Sequence, residues 1–318
     1  MRVVIAVGGN AMTAADGTAH PQDQQAAIEV AVEPVAELIR AGHQVVLTHG
    51  NGPQVGNLLV KNELAASVVP PVPLDWCGAQ TQATVGLLIL NALDRALAAR
   101  NSQARTAVVV SRTEVAADDP AFSAPSKPIG RYLSQAEAAV MINHGQHWQD
   151  RGERGWRRVV ASPEPLRCLD APAVVALLAA GFAVVCSGGG GIPVVADGSP
   201  SGYRGVEAVI DKDLTAALLA GALAADRLVI ATDVEHAVLG WGTENPVPLA
   251  GIEVGELEAL AAAGAFASGS MEPKVSAACR FTRQSGKPAA ITSLSNIAGA
   301  LAGVAGTIVH PESSGPAS

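Results

Sequence analysis

Three lysines lie in polar segments where an ammonium group can act on a phosphate. Lys127 lies in SKPIGR and Lys274 in SMEPKVSAA, whereas Lys212 stands between Asp211 and Asp213. Phosphoryl transfer depends on positioning and on neutralising the charge of the moving group, and lysines supply that charge. The two aspartates could hold Lys212, face a nucleotide-bound Mg²⁺ or cap a helix. These residues predict phosphoryl-transfer chemistry, with plain solvated lysines as the alternative.

Three glycine-rich loops each follow a strand-like apolar run. The loop residues are Gly8, Gly9, Asn10, Gly50, Asn51, Gly52, Gly188, Gly189, Gly190 and Gly191. In a parallel sheet all three loops emerge at the carboxyl edge, where ligands of open α/β folds bind. Backbone N–H groups without side chains around them can close there on a phosphate or carboxylate. The alternative is that each loop only turns the chain between a strand and a helix.

Several familiar catalytic motifs are absent from the sequence. It contains no GxxxxGK[ST], and GNGPQV (50–55) has Val55 where a GxGxxG pattern needs its third glycine. It also contains no GxSxG, and its seven histidines form no HExxH. The sequence therefore disfavours a P-loop enzyme, a Rossmann dehydrogenase, covalent acyl chemistry and a permanent metal site.

Strands and helices must position these residues. The strand-like runs are β-branched and apolar, and they occupy residues 3–7, 44–48, 106–110, 182–186, 227–232 and 289–293. Such unbroken runs are typical of strands buried on both faces. Ala- and Leu-rich segments between them, such as 24–42 and 81–99, carry helical spacing. This alternation predicts an α/β fold with a doubly wound, mostly parallel sheet.

Residues 113–167 interrupt the alternation and are predicted to form a lid. The segment is rich in Pro, Gly and charge, and its aromatic residues predict a small core of its own: Phe122, Tyr132, Trp148 and Trp156. Four of its arginines are interpreted as solvated surface, with a local anion patch as the alternative: Arg151, Arg154, Arg157 and Arg158. The α/β core then comprises residues 1–112 and 168–311, and residues 312–318 are predicted to be a disordered tail.

Composition narrows the class of partner. The 318-residue chain has 21 Lys and Arg against 29 Asp and Glu, a net charge of −8, and only 3% aromatic residues, which disfavours nucleic acid. Its four cysteines form no CxxC pair and the N-terminus lacks a signal-peptide pattern, which predicts a reduced, cytoplasmic protein. The longest apolar stretch, residues 173–186, is short for a membrane span, so no membrane partner is predicted.

Eight blocks resemble, in order, the conserved blocks of the carbamate kinases, which belong to the amino acid kinase superfamily. They are GGNAM (8–12), HGNGPQVGNLL (49–59), PLDWCGAQTQ (73–82), DPAFSAPSKPIG (119–130), RGWRRVVASPEP (154–165), SGGGGIPVV (187–195), GVEAVIDKDL (205–214) and GSMEPK (269–274). The resemblance covers about residues 3–310. It implies an open αβα sandwich with a small protruding lid subdomain, and a homodimer.

The implied reaction is reversible phosphoryl transfer between ATP and carbamate, giving ADP and carbamoyl phosphate. Mg²⁺ would be carried by ATP or ADP, and many members make ATP after arginine breakdown. Most of the superfamily has a lysine before the first glycine pair, where this chain has Ala6 and Val7. Carbamate kinases supply a lysine from the protruding subdomain instead, and the matching residue here is Lys127.

The resemblance also assigns roles to the site residues. Lys127 and Lys212 would neutralise charge on the transferring phosphoryl group, and Asp213 would organise the lysines with Asp211 close by. The substrate side would be formed by Gly8, Gly9, Asn10, Gly50, Asn51, Gly52, Gly188, Gly189 and Gly190. The nucleotide side would be formed by Lys212, Thr232, Asp233, Trp241, Met271 and Lys274.

Four positions depart from the family pattern, at Ala83, Leu87, Ser111 and Arg112. We expect these changes to alter an interface or the rim of the substrate site. Two other functions stay open at this point. One is a sibling kinase for another small carboxylate, and the other is a regulatory protein that senses a nucleotide or anion without turnover.

Overall fold

The computed structural model describes residues 1–9, 20–66, 68–267 and 270–313. Asn10 and most of the predicted tail, residues 314–318, lie outside the described residues. The strands are β1 Arg2–Val7, β2 Gln44–His49, β3 Arg105–Val108, β4 Arg112–Val115, β5 Lys127–Leu133, β6 Trp148–Asp150, β7 Trp156–Val160, β8 Pro165–Cys168, β9 Phe182–Val185, β10 Ile192–Ala196, β11 Tyr203–Gly205, β12 Arg227–Thr232, β13 Val238–Leu239, β14 Val247–Pro248, β15 Gly251–Glu253, β16 Ala289–Ser293 and β17 Thr307–His310. The helices are α1 Pro21–Arg40, α2 Gly52–Ala65, α3 Leu74–Ala99, α4 Pro120–Ser123, α5 Gln135–Asn143, α6 Ala171–Ala179, α7 Lys212–Ala222, α8 Val254–Ala262, α9 Met271–Ser285 and α10 Ile297–Ala302.

A central sheet of eight strands carries the fold. Its order is β15-β17-β16-β12-β1-β2-β9-β3, and all neighbouring pairs are parallel except β16 with β17. The three strands that precede the glycine loops are therefore side by side, in the order β1, β2, β9. Their carboxyl ends meet at one edge of the sheet, as the sequence predicts.

Helices cover both faces of this sheet. Val3, Ile5 and Val7 of β1 pack in one core with α1, α3 and α10, whereas Val4 and Ala6 pack in the other core with α6 to α9. The alternation follows from the pleat, which points successive side chains to opposite faces. The structure is thus an αβα sandwich with a largely parallel sheet, and the predicted fold class is confirmed.

Two smaller sheets lie between β3 and α7 along the chain. One has the order β11-β10-β4-β8, and the other, the lid sheet, has the antiparallel order β5-β7-β6. Helix α5 begins at a capping box in which Ser134 and Glu137 each bond the backbone of the other. Leu133, Met141 and Trp148 form a small core between α5 and the lid sheet.

Some details differ from the sequence predictions. Phe122 packs against Val115, Val195 and Ile210 rather than with Trp148, because α4 follows β4 directly and stays beside that strand. The boundaries predicted at 112/113 and 167/168 fall inside β4 and β8, which pair with each other. The short outer strands β15 and β17 were not predicted. Among the described helices, none is both long and apolar enough to cross a membrane.

Candidate active site

The first two glycine loops touch each other. The Gly8 amide donates to the Ala231 carbonyl and the Gly50 amide donates to the Val7 carbonyl, at 3.0 and 3.1 Å. A Cβ atom placed on Gly50 would lie 2.7 Å from both Cα and N of Gly9, which real side chains do not tolerate. The close approach of the two backbones is therefore the reason for glycine at position 50.

The third loop is a tight turn formed by four consecutive glycines. Gly189 has φ +65°, which favours glycine, and a Cβ there would lie 2.1 Å from Asn51 Nδ2. Asn51 ends the second loop and precedes α2, and its side chain donates to Thr81 Oγ1 at 2.9 Å. The third loop thus lies directly on the second, and the predicted convergence of the three loops is confirmed.

A buried polar network holds the four-glycine turn from below. Gln82 donates from Nε2 to the Gly188 carbonyl at 3.0 Å and accepts from the Ser111 amide at 2.8 Å. Ser111 Oγ accepts from the Ser187 amide at 2.7 Å, and Thr48 Oγ1 donates to the Ser187 carbonyl at 2.9 Å. Because all these side chains are buried, the network fixes the turn's position.

His49 is a buried neighbour of this network, at 1% exposure. Its Nδ1 lies 2.8 Å from the Gly50 carbonyl oxygen, and because a carbonyl only accepts, Nδ1 carries the proton. Burial lowers the pKa of His49 to about 4, against the weaker effect of this hydrogen bond. The ring is therefore neutral near pH 7, and it packs on Gly188, where a Cβ would lie 2.3 Å from Nε2.

Asp213 joins two of the predicted lysines. Its side chain is 4% exposed, with Oδ1 2.5 Å from Lys212 Nζ and Oδ2 3.3 Å from Lys274 Nζ. Burial alone would raise the pKa of Asp213, but the attraction of Lys212 and Lys274 outweighs burial and lowers it. The carboxylate is therefore charged, with an ammonium group on each oxygen, and suits positioning rather than proton transfer.

Asp211 connects this pair to the lid. Its Oδ1 accepts from the amides of Asp213 and Leu214 at 2.9 and 3.3 Å, so Asp211 is the N-cap of α7. Its Oδ2 lies 3.9 Å from Lys127 Nζ at the start of β5. The sequence left helix capping open for both aspartates, and the structure assigns it to Asp211 because Asp213 faces inward to the lysines.

Two cavities lie beside these charged residues: Lys212 and Lys274 line the larger one, and Lys127 lines the smaller one. The larger, of about 850 Å³, is lined by residues that include Gly8, Gly9, Lys212, Thr232, Asp233, Trp241, Met271 and Lys274. The smaller, of about 450 Å³, is lined by residues that include Asn51, Gly52, Lys127, Arg157 and Gly189. The N-terminus of α2 borders the smaller cavity, and its first-turn amides lack helical partners and favour an anion.

The predicted site residues thus divide by whether they line a cavity, and Asp211 and Asp213 line neither one but lie against the lysines. Most of them line one of the two cavities. Gly50, Gly188 and Gly190 instead lie against Gly9, His49 and the Ile210 carbonyl respectively, so they shape the loops without lining a cavity. Asn10 lies outside the described residues, so its prediction has no structural counterpart.

The side chains that hold the four-glycine turn were not predicted as part of the site. His49, Gln82 and Ser187 were not proposed for the site, and Ser111 was expected only at an interface or the substrate rim. Polar residues next to buried apolar strands were a signal that could have identified them. Arg158 was interpreted as solvated, but its side chain is 6% exposed and pairs with Glu207 at 3.0 Å. Arg158 begins the buried half of β7 and faces Glu207 in the loop before α7.

The chain is similar to known proteins in both sequence and structure. Residues 1–293 match the model of the amino acid kinase family. The chain is 42% identical over 313 residues to a carbamate kinase of Trichomonas vaginalis, covering 98% of this chain and 100% of that protein. It is 40% identical over 310 residues to a carbamate kinase-like protein of Escherichia coli K12, covering 96% and 97%. A structure of carbamate kinase from Giardia lamblia bound to AMP-PNP superposes with a TM-score of 0.92 at 40% identity, covering 98% of each chain.

Proposed function

The chain belongs to the amino acid kinase family and, within it, to the carbamate kinases, and on that footing we propose how its site performs phosphoryl transfer. The enzyme is an ATP:carbamate phosphotransferase, which interconverts ATP plus carbamate with ADP plus carbamoyl phosphate. The observation that carries the proposal is the Asp213 carboxylate between Lys212 and Lys274, two lysines that line the larger cavity.

The larger cavity is proposed as the nucleotide side. Lys274 borders it on α9 and would contact the nucleotide phosphates, with Thr232 and Asp233 at the end of β12. Trp241 and Met271 would lie against the base and sugar as apolar walls. A volume of about 850 Å³ suits a ligand of this size, and the Giardia lamblia relative is bound to AMP-PNP.

The transferring phosphoryl group is proposed to pass between Lys212 and Lys127. Lys212 lies at the N-terminus of α7, where the helix dipole adds partial positive charge. Lys127 comes from the lid and lines the smaller cavity, and its Nζ lies 3.9 Å from Asp211 Oδ2. Because the moving group needs charge neutralisation and no covalent intermediate, these fixed ammonium groups supply most of what the chemistry requires.

The smaller cavity is proposed as the carbamate side. Asn51 and Gly52 at the start of α2 and Gly189 in the four-glycine turn would present amides to carbamate or to the phosphate of carbamoyl phosphate. Gly50 brings the first two loops together, and His49 and Gln82 hold the third. Asn10 would complete this side as the resemblance implies.

Mg²⁺ is proposed to enter with the nucleotide as part of the substrate. Among the described residues, no three His, Cys, Asp or Glu side chains are grouped to hold a metal ion. Both oxygens of Asp213 already face ammonium groups, and one oxygen of Asp211 caps α7. A cation that takes most of its ligands from phosphates and water fits this donor set.

We also propose that the enzyme acts as a cytoplasmic homodimer. Leu87 and Val110 are apolar and 55% and 49% exposed, close to β3, the edge strand of the sheet. A two-fold contact there would cover them. Light scattering coupled to gel filtration should give twice the chain mass, and a single-chain mass would contradict the dimer. In the ATP-forming direction the enzyme would consume carbamoyl phosphate released by arginine breakdown.

The direct test is ATP formation from ADP and carbamoyl phosphate by purified protein, with and without Mg²⁺. We expect ATP to form only with Mg²⁺, and acetyl phosphate in place of carbamoyl phosphate to give far less. Equal or greater activity with another acyl phosphate would contradict the carbamate assignment. ADP binding without any ATP formation would contradict the kinase assignment.

A further inference from the structure

The lid carries a cavity apart from the residues proposed for phosphoryl transfer. It measures about 360 Å³ and is lined by Pro128, Tyr132, Arg151, Arg154 and Arg157. The arginines come from the loop after β6 and from the start of β7, and Tyr132 comes from β5, which pairs with β7. Three guanidinium groups thus surround one space.

These three arginines have no acidic partner among the described residues. Within the part of the chain that the structure describes, no carboxylate lies within 4.0 Å of the guanidinium nitrogens of Arg151, Arg154 or Arg157. Two other lid arginines differ, because Arg131 pairs with Glu63 at 2.8 Å and Arg158 pairs with Glu207 at 3.0 Å. The lid therefore neutralises the arginines outside the cavity and leaves those around it uncompensated.

The acidic residues nearest in sequence, Asp150 and Glu153, form no ion pair with these arginines within the described part of the chain. Asp150 directly precedes Arg151, but its Oδ1 accepts from the Gly152 amide at 2.9 Å. Arg151 itself donates to the neutral side-chain carbonyl of Gln149 at 2.8 Å. Local carboxylates therefore do not satisfy the positive charge around the cavity.

Tyr132 organises two of the arginines. The Arg157 guanidinium lies over its ring, 5.0 Å from the centroid, and donates to the phenol oxygen at 3.4 Å. Hydrogen bonds from Arg154 and then Arg157 lower the pKa of Tyr132 below its ordinary value. The Arg157 Nε atom is buried without a hydrogen-bond partner among the described residues. Such an atom is costly to leave unpaired.

We propose that this lid cavity binds a compact anion with two or more negative charges, of the phosphate or polycarboxylate kind. Converging guanidinium groups repel one another, and a bound oxyanion removes that repulsion and accepts their paired N–H donors. The anion is either carbamoyl phosphate on its way to the site or a separate metabolite. Arg157 also lines the smaller cavity of the active site, so the two anion positions are neighbours.

Tyr132 provides a spectroscopic reporter for the test. The chain has two tyrosines, so in a Tyr203→Phe background the ultraviolet titration of tyrosinate reports Tyr132 alone. We expect millimolar inorganic pyrophosphate to raise the pKa of Tyr132 by roughly one unit, because the anion offsets the arginines that lower it. The Arg151→Gln/Arg154→Gln variant should lose this shift. The exposed pair Arg204→Gln/Lys287→Gln removes the same charge elsewhere and should retain it.

The outcomes separate the possibilities. No shift with pyrophosphate, or a shift that survives in Arg151→Gln/Arg154→Gln, overturns the proposal. If the shift is lost, a raised KM for carbamoyl phosphate in that variant identifies the incoming substrate as the anion. An unchanged KM identifies a separate metabolite. Because the titration needs no turnover, it stands even if the proposed reaction fails.

Discussion

At the scale of single residues, the site depends on a buried carboxylate that holds two ammonium groups. Asp213 is charged because Lys212 and Lys274 outweigh the cost of its burial. An unpaired buried charge costs several kcal/mol, so each partner stabilises the others. This arrangement holds both lysines at the wall of the larger cavity before any ligand arrives.

Lys274→Ala should chiefly weaken nucleotide binding. A hydrogen bond to a charged group contributes about 1.5–3 kcal/mol, so the Kd for ADP should rise about 10- to 100-fold. Isothermal titration calorimetry without carbamoyl phosphate measures this directly. The control is Lys287→Ala, an exposed lysine just before the amino end of β16, at the opposite edge of the sheet from the glycine loops. An ADP affinity within twofold of wild type would remove Lys274 from the nucleotide side.

His49 predicts a pH dependence of stability. Its pKa is lowered from 6.5 to about 4 by burial, so the unfolded chain binds a proton that the folded chain excludes. The contribution of His49 to the free energy of unfolding is therefore fully present above pH 6.5. It falls as the pH drops toward 4, by roughly 3 kcal/mol in all. Urea unfolding at several pH values should show this extra fall in wild type and not in His49→Asn. Parallel pH curves for the two proteins would contradict it.

The charged residues of the candidate site could be predicted from the sequence, but not all of their contacts could. Lysines are scarce and lie in polar segments, so Lys127, Lys212 and Lys274 were visible as candidates. The pairing of Asp213 with a lysine 61 positions away depends on α7 and α9 lying side by side, which local pattern does not encode. Arg158 was misassigned because burial of one arginine among four requires knowledge of the strand's orientation.

At the scale of elements, parallel neighbours β1, β2 and β9 bring the three loops together. Each loop packs against the next, and the room for an added side-chain atom is smallest where two backbones touch. Gly50 shows this most clearly, because a Cβ would lie 2.7 Å from Gly9 backbone atoms.

Gly50→Ala should separate the first two loops. Overpacking costs about 1–3 kcal/mol, so both the free energy of unfolding and the rate of ATP formation should fall. Gly221→Ala in α7 is the matched control, since a Cβ there meets nothing within 4 Å. That control should change stability by less than about 1 kcal/mol and in the favourable direction. Equal behaviour of the two variants in urea unfolding and in the ATP assay would refute the close-packing argument.

The sequence predicted the central strands within two residues, whereas α3 begins at Leu74, seven residues before the predicted segment. Apolar β-branched runs identified six strands of the sheet, and helical spacing identified α1 and α3. The outer strands β15 and β17 have three and four residues, too few to show a period. The antiparallel direction of β17 beside β16 was also not predictable, because an apolar run does not show in which direction its strand pairs.

At the scale of the whole molecule, two cores enclose the sheet and leave the cysteines inside them or beside them. All four cysteines are free and buried. Burial raises the pKa of Cys168 and of Cys279 to about 12, so their reactive thiolate is scarce near pH 7.

An aromatic disulfide reagent should therefore find no reactive thiol in the folded protein. The colour released should correspond to none of the four cysteines in the native state and to all four after unfolding in guanidinium. Lys287→Cys provides the control, because an exposed thiol at that position should react at once. Rapid reaction of a native cysteine would show that the packing around it opens.

The whole molecule brings Lys127 from the lid to the site, where we propose that it acts on the phosphoryl group during transfer. The most direct measurement is kcat for ATP formation from carbamoyl phosphate and ADP in Lys127→Ala, beside Lys61→Ala, which removes an exposed lysine of α2. We expect kcat to fall about 10³- to 10⁵-fold in Lys127→Ala and to change little in Lys61→Ala. A kcat for Lys127→Ala within a few-fold of wild type would contradict it.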